Sequence, residues 1–545
     1  MSTPPRRNAR RREEKIGEKD TSLACRARPA GEGPAVTARL FENAAVLTMD
    51  RAQPRAEAFV VRGGRFAYVG PAGGARRAAG DRAERLDLRG RTVLPGFCDA
   101  HCHQAFNTAP GGDLSECRSR AAALAEMRRL AAALPPGTWL LARAWDESLW
   151  AERAEITRRD LDSVSRARPV FAWRVDGHLL VSNSAGLAKL DLASGDPGVE
   201  RDRQGRPTGR FIDAGAALAP VLERRRRQES LRARLAAAAR RSAELGITMV
   251  HDIVMNAEAA EHLRTCFAGV PAGPRIVLLM PHGDLDGALA GRRWGQGDEW
   301  ARLGPVKLFA DGSIGARSAL LAEDYRDAAG RGLEILGRRD LLAAVRKAHA
   351  RGFPAAVHAI GEVAIGNALW ALERAGRPRR GRDRIEHAEQ ITPGHIRRAA
   401  RAGVVLSMQP NFLKWQHRSG LYEKRLGRGA LPRMNPFARV LAAGADLVFG
   451  SDGMPAGPLF GIGEACSFPS SSVRIPVEAA LRAYTSAGAD HSPFAGLAGR
   501  IRPGCLADFV VLGEDPLRVP PRRLRDVPVV ATCVGGRAVY GKLEV

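Results

Sequence analysis

The 545-residue chain has no run of about 18 apolar residues, so no membrane-spanning helix is expected. Arg6, Arg7 and Arg10 to Arg12 are not followed by an apolar core, so they are not expected to form a secretion signal; residues 1–36 read as a disordered basic N-terminal segment. The eight cysteines include no Cys-x-x-Cys pair, which favours reduced thiols in a cytoplasmic protein over a disulfide framework. Lysine is scarce, at eight residues, so nearly every cation is arginine. The net charge of +25 and pI of about 10.8 therefore reflect an arginine-biased composition. Runs such as Arg224 to Arg227 lie on helix-like stretches without interleaved aromatics, so nucleic acid is not an expected partner. The same scarcity singles out any lysine inside an apolar strand.

What is present is a large globular chain, 45% hydrophobic and too long for one small core. Residues 37–93 and 500–545 alternate short β-rich runs with glycine breakers, which predicts a small β-sandwich built from both chain ends. Between them, residues 94–499 alternate apolar β-rich runs with alanine-, leucine- and arginine-rich helical stretches. Eight strands can be placed: Thr92–Asp99, Thr248–Asp252, Arg275–Met280, Val306–Asp311, Ala355–His358, Arg384–His387, Val404–Gln409 and Asp446–Asp452. That pattern predicts an α/β fold, a (β/α)8 barrel, with its active site at the C-terminal strand ends. About 140 residues separate the first two strands, far more than a plain βα unit needs. The insertion, about 105–245, leaves from the C-terminal face and is expected to cap the pocket.

The metal reading starts from Thr92 to His103, an apolar strand that ends in two histidines one residue apart. Extended backbone sends alternate side chains to one side, so His101 and His103 converge while Cys102 faces away. Imidazole is the commonest protein ligand for zinc. His358, His387 and Asp452 end strands five, six and eight, and Lys307 lies in apolar strand four, so six such side chains fall on one barrel face. Burial lowers a lysine's pKa, and the neutral amine is able to take up carbon dioxide as a carbamate, a carboxylate analogue that bridges two cations. The alternative for Lys307 is an ion pair with Asp311.

The motifs Pro95-Gly96-Phe97-x-Asp99-x-His101-x-His103, Lys307-Leu308-Phe309-Ala310-Asp311-Gly312-Ser313-Ile314-Gly315-Ala316-Arg317, His358-Ala359-Ile360-Gly361, Arg384-Ile385-Glu386-His387-Ala388, Ser407-Met408-Gln409-Pro410 and Gly450-Ser451-Asp452 resemble the metal-dependent amidohydrolase superfamily. Within it they are similar to the amidohydrolase family 3 branch, which includes N-substituted formamide deformylases. The resemblance runs from about Thr37 to the C-terminus. It departs from the family pattern at Glu362, where aspartate is usual, and at Gly453-Met454-Pro455, one residue longer than usual. It implies a metal-binding barrel with a flanking sandwich and hydrolysis of non-peptide carbon–nitrogen bonds. It also implies metal-ligand roles for His101, His103, Lys307 as its carbamate, His358 and His387. The implied cofactor is a divalent cation, zinc being the expected one, as one or two ions.

In the mechanism expected on that basis, Asp452 takes a proton from the attacking water and passes it to the leaving amine. Asp311 and Arg317 would orient a polar substrate group, Arg317 gripping a carboxylate; the alternative is a mutual ion pair. His178 would reach in from the insertion as an oxyanion donor or substrate contact, or else pack within the cap. Trp145, Trp150, Phe412 and Trp415 are candidates for apolar pocket lining, with plain core packing as the alternative. The expected substrate is a small amide, N-formyl or N-acyl amine, or cyclic amide, with a homodimer left open. A metal-dependent dipeptidase or D-aminoacyl hydrolase is the competing enzymatic reading, and a non-catalytic binding protein the competing reading of another class.

Overall fold

The computed structural model describes residues 38–543, apart from 108–111, 215–216, 229, 255–258, 271–272 and 456. The basic segment expected over 1–36 lies outside the described residues. Eight parallel strands form one sheet in chain order: Phe97–Cys102, Ile247–Ile253, Arg275–Pro281, Ala301–Phe309, Ala355–Ala359, Arg384–His387, Val405–Met408 and Leu447–Phe449. These are called barrel strands 1 to 8. Side chains alternate across them: Val277, Ala356, Val405 and Val448 belong to one buried cluster, whereas Leu278, Val357 and Leu406 pack in the cluster that takes in the surrounding helices.

Strand 1 begins later than the sequence suggests. Thr92–Pro95 is a separate strand, antiparallel to Phe509–Leu512 in a six-stranded sheet. Gly96 marks the break, where a Cβ would sit 2.1 Å from Thr248 Cγ2. The second flanking sheet has four strands, Arg65–Gly70, Ala58–Arg62, Arg39–Glu42 and Glu84–Asp87. Between the two sheets Phe41 stacks on Phe59 at 4.7 Å and meets Phe509 edge-on at 5.2 Å, so both chain ends share one aromatic core.

The insertion carries a five-stranded sheet of its own. Leu140–Trp145 and Val170–Arg174 pair in parallel, and Leu179–Ser182, Pro207–Ile212 and Val199–Arg201 extend the sheet antiparallel. The helix Arg120–Ala133 starts at Ser119, whose side chain accepts from Ala122 N. Among the described residues, no helix is long and apolar enough to cross a membrane.

Strands 1 and 8 meet at a seam that positions the site. The Asp99 carboxylate accepts from Ser451 N at 2.8 Å and from Ser451 Oγ, and Asp452 N donates to His101 O at 2.7 Å. Gly450 allows this approach, since a Cβ there would lie 2.4 Å from His101 N. Gly450→Ala is therefore expected to destabilise the fold by about 1–3 kcal/mol through overpacking. The check is thermal unfolding; a melting temperature equal to wild type would show that the seam opens without cost.

Candidate metal centre

The site rises from a buried charge inside the barrel. Arg384 and Glu386 are two apart on strand 6 and share a face. Arg384 donates to the Ala100 carbonyl at 2.7 Å, to Ser407 Oγ at 2.8 Å and to Glu386 Oε2 at 3.0 Å. It also donates to His251 Nδ1 at 2.7 Å, so His251 belongs to this supporting layer. Burial pushes the Glu386 carboxyl up, but Arg384 and Lys307 outweigh it and hold it below the usual range. An ionised Glu386 only accepts, so His101 Nδ1 carries the proton in their 2.6 Å contact and Nε2 keeps a lone pair.

The other histidines are oriented by the same logic. His387 Nδ1 donates to Gln409 Oε1 at 2.8 Å, and His358 Nε2 donates to the Gly312 carbonyl at 3.2 Å. His101 and His387 lie 4.5 Å apart between ring centres, as do His387 and His358, with His103 at 5.7 Å from His101. Burial holds His101, His358 and His387 well below the usual histidine pKa and His103 at about 3. The imidazoles are thus neutral, the form that binds metal. Asp452 Oδ1 lies 3.7 Å from His101 Nε2 and 3.5 Å from His103 Nε2, and ligand atoms of these three residues fall within 4.8 Å of one another. Burial raises the Asp452 carboxyl.

Three buried nitrogens at this centre, His101 Nε2, His103 Nδ1 and Lys307 Nζ, have no hydrogen-bond partner among the described residues. Native interiors rarely leave such groups alone, so the donor set fits a cation that this chain would hold. Lys307 is fully buried and its pKa is lowered by burial. It makes no ion pair with Asp311, contrary to the alternative drawn from sequence. The Asp311 carboxylate instead accepts from the backbone of Leu320, Ile360 and Gly361 at 2.8 to 3.0 Å and holds the loops after strands 4 and 5.

The cap supplies the roof. His178 Nδ1 bonds Asp213, and Asp213 N returns to His178 O at 3.0 Å. Burial opposes the charge on His178, yet Asp213 raises its pKa to about 9, so the ring is protonated and lies 5.3 Å from the His358 ring. Arg174, Asp176 and Ser313 join the roof to the loop after strand 4: Asp176 Oδ2 accepts from Arg174 at 2.7 Å and from Ser313 Oγ at 2.8 Å. Phe412, Trp415, Tyr422, Met454 and Glu389 complete the cavity wall.

Two expected substrate residues lie elsewhere. Trp145 is fully buried in the cap core, its indole N–H given to the Ala172 carbonyl at 3.1 Å, because its strand turns that face toward the cap's own helices rather than the cavity. Trp150 packs in the same core. Arg317 neither pairs with Asp311 nor lines the cavity above the histidines; its guanidinium is taken by Glu155 at 3.1 Å and Asp327 at 2.9 Å. Arg425 reaches the same two acids, and Arg174 binds Glu147 at 2.9 Å, so a buried charge network joins cap to barrel. Glu362 accepts from Ala322 N at 2.8 Å. Glu389, Arg174 and Tyr422 were not picked out from sequence; the first lies two residues beyond His387, and that spacing was its only signal.

The model of the amidohydrolase family matches residues 84–540. The chain belongs to the amidohydrolase family. The N-substituted formamide deformylase of Arthrobacter pascens is 28% identical over 548 residues, covering 91% of this chain and 97% of that protein. The protein LONG AFTER FAR-RED 3 of Arabidopsis thaliana is 28% identical over 92% of this chain and 91% of its own length. The structure of an uncharacterized metal-dependent hydrolase from Pyrococcus furiosus superposes with a TM-score of 0.68 at 25% identity, covering 88% of this chain and all of that one. This amidohydrolase is thus a metal-dependent enzyme that hydrolyses carbon–nitrogen bonds, with a candidate metal cluster at His101, His103 and Asp452.

If Glu386 fixes the His101 tautomer, Glu386→Gln is expected to weaken metal retention by about 10- to 100-fold. Chelator competition measures this; unchanged retention would remove Glu386 from the account.

Proposed function

We propose that this amidohydrolase cleaves N-formyl or N-acyl amines, with zinc held by His101, His103, His358, His387 and the carbamate of Lys307. The observation that carries the reading is the buried Lys307 Nζ, without a hydrogen-bond partner and beside neutral imidazoles. Its neutral amine adds to carbon dioxide: the nitrogen–carbon bond forms as one carbon–oxygen π bond breaks, the N–H proton passes to water, and the resulting carbamate is an anion suited to a cation. Such a cation, when bound, polarises the substrate carbonyl and lowers the pKa of water toward about 7. The chain's own groups supply the rest. Asp452 takes the proton of the attacking water and hands it to the leaving amine as the carbon–nitrogen bond breaks. His178, kept protonated by Asp213, donates its Nε2–H to the oxygen on which negative charge develops. Arg174, Asp176 and His178 of the cap form part of the cavity wall above the histidines.

The relative named as an N-substituted formamide deformylase favours an amide over a dipeptide substrate. The engagement of Arg317 by Glu155 and Asp327 points the same way, since the group expected to grip an amino-acid carboxylate is occupied. The seven described cysteines are free thiols, which supports a cytoplasmic setting.

Asp452→Asn is expected to lower kcat by about 10²- to 10⁴-fold on N-formylbenzylamine. Metal content is measured on the same sample. Near-wild-type turnover in a metal-loaded Asp452→Asn protein would assign proton transfer to another group.

A further inference from the structure

Among the described residues that line the cavity above the histidines, Glu389 carries a buried carboxylate oxygen without a hydrogen-bond partner. Glu389 lines this cavity beside Phe412, Trp415 and Tyr422 and is 2% exposed. Tyr422 and Asn435 flank its carboxyl, yet Oε2 has no hydrogen-bond partner among the described residues. Of the other charged side chains of the wall, Arg174 is engaged with Glu147 and Asp176, Asp176 with Ser313, and His178 with Asp213, while Asp452 lies beside His101 and His103 and is given to proton transfer. The remaining lining is largely apolar, including Ile360, Leu421 and Met454. A buried acceptor without a donor is unfavourable, and a ligand that brings the donor relieves it. Phe412, Trp415 and Tyr422 line the same cavity with aromatic rings, which attract a cationic donor more than a neutral one.

Resting on the amide-hydrolase reading above, we propose that Glu389 determines substrate specificity: its Oε2 accepts a hydrogen bond from an amino or ammonium group. That group is carried on the apolar body of the amide substrate, apart from the bond that is cut. The preferred substrates are thus amino-bearing aromatic or aliphatic amides, and plain hydrocarbon amides are poorer.

The test compares N-formylbenzylamine with N-formyl-4-(aminomethyl)benzylamine. Kd is measured by calorimetry on metal-loaded Asp452→Asn protein, which needs no turnover, and kcat/KM on the otherwise wild-type enzyme. The amino-bearing probe is expected to bind about tenfold or more tightly than the plain one. Adding Glu389→Gln is expected to bring the ratio near one while the plain probe keeps its Kd. Equal or undetectable binding of the two probes with Glu389 intact overturns the proposal. So does a preference that survives Glu389→Gln, which would leave Glu389 only holding Tyr422 and Asn435. Should Glu389→Gln fail to fold, Glu389→Asp is read instead: a retracted carboxylate reduces the preference, and an unchanged preference overturns the proposal. Preferential binding without cleavage of either probe would sink the formamide reading and leave Glu389's role standing; cleavage of both without preference would do the reverse.

Discussion

A single guanidinium buried in the barrel sets the chemistry above it. Arg384 has no exposed surface, and its hydrogen bonds reach strands 1, 2 and 7 as well as Glu386 on its own strand. Losing one partner of such a buried ion pair typically costs about 3–5 kcal/mol. The arrangement passes its effect upward. Arg384 keeps Glu386 ionised, Glu386 fixes the proton on His101 Nδ1, and His101 Nε2 is left with a lone pair directed at the site. The electrostatic layer beneath the histidines thus defines which ring atoms are donors, before any metal is considered.

Two further constraints close the site around that layer. The seam between strands 1 and 8 binds Asp99 to Ser451 and the backbone of Asp452 to that of His101, which fixes Asp452 beside both histidines. The cap is fastened by charge rather than by apolar area alone: Arg174, Arg317 and Arg425 face Glu147, Glu155 and Asp327 in a partly desolvated network. Arginine suits this place because its planar fork bonds two carboxylates at once. Part of the high arginine content therefore does structural work at the cap, where the sequence suggested only composition.

Much of this was legible because it follows strand periodicity. The eight strands, the His101–His103 pair and the lone apolar-strand lysine are local patterns, and the order of the motifs added the family. What was not legible depends on departures from periodicity or on distant partners. By alternation His387 should face away from Glu386; it reaches the site because His387 and Ala388 adopt φ of 70° and 51°, which ends the extended backbone. Strand 1 shifts register against strand 2 in the segment holding His101, a bulge that no pattern in Phe97–Cys102 announces. Thr92–Pro95 looked continuous with strand 1, yet it pairs with the C-terminal strand more than 400 positions away. Arg317 was assigned to substrate because its acidic partners, Glu155 and Asp327, lie in segments whose approach only the folded cap decides.

The central claim is that Lys307 and the surrounding histidines form a metal centre. Elemental analysis of protein purified without added metal, on wild type and Lys307→Ala together, tests it most directly. The expected result is one or two equivalents of zinc in wild type and a clear fall in the variant. Absence of metal from both, persisting after reconstitution with zinc, would contradict it.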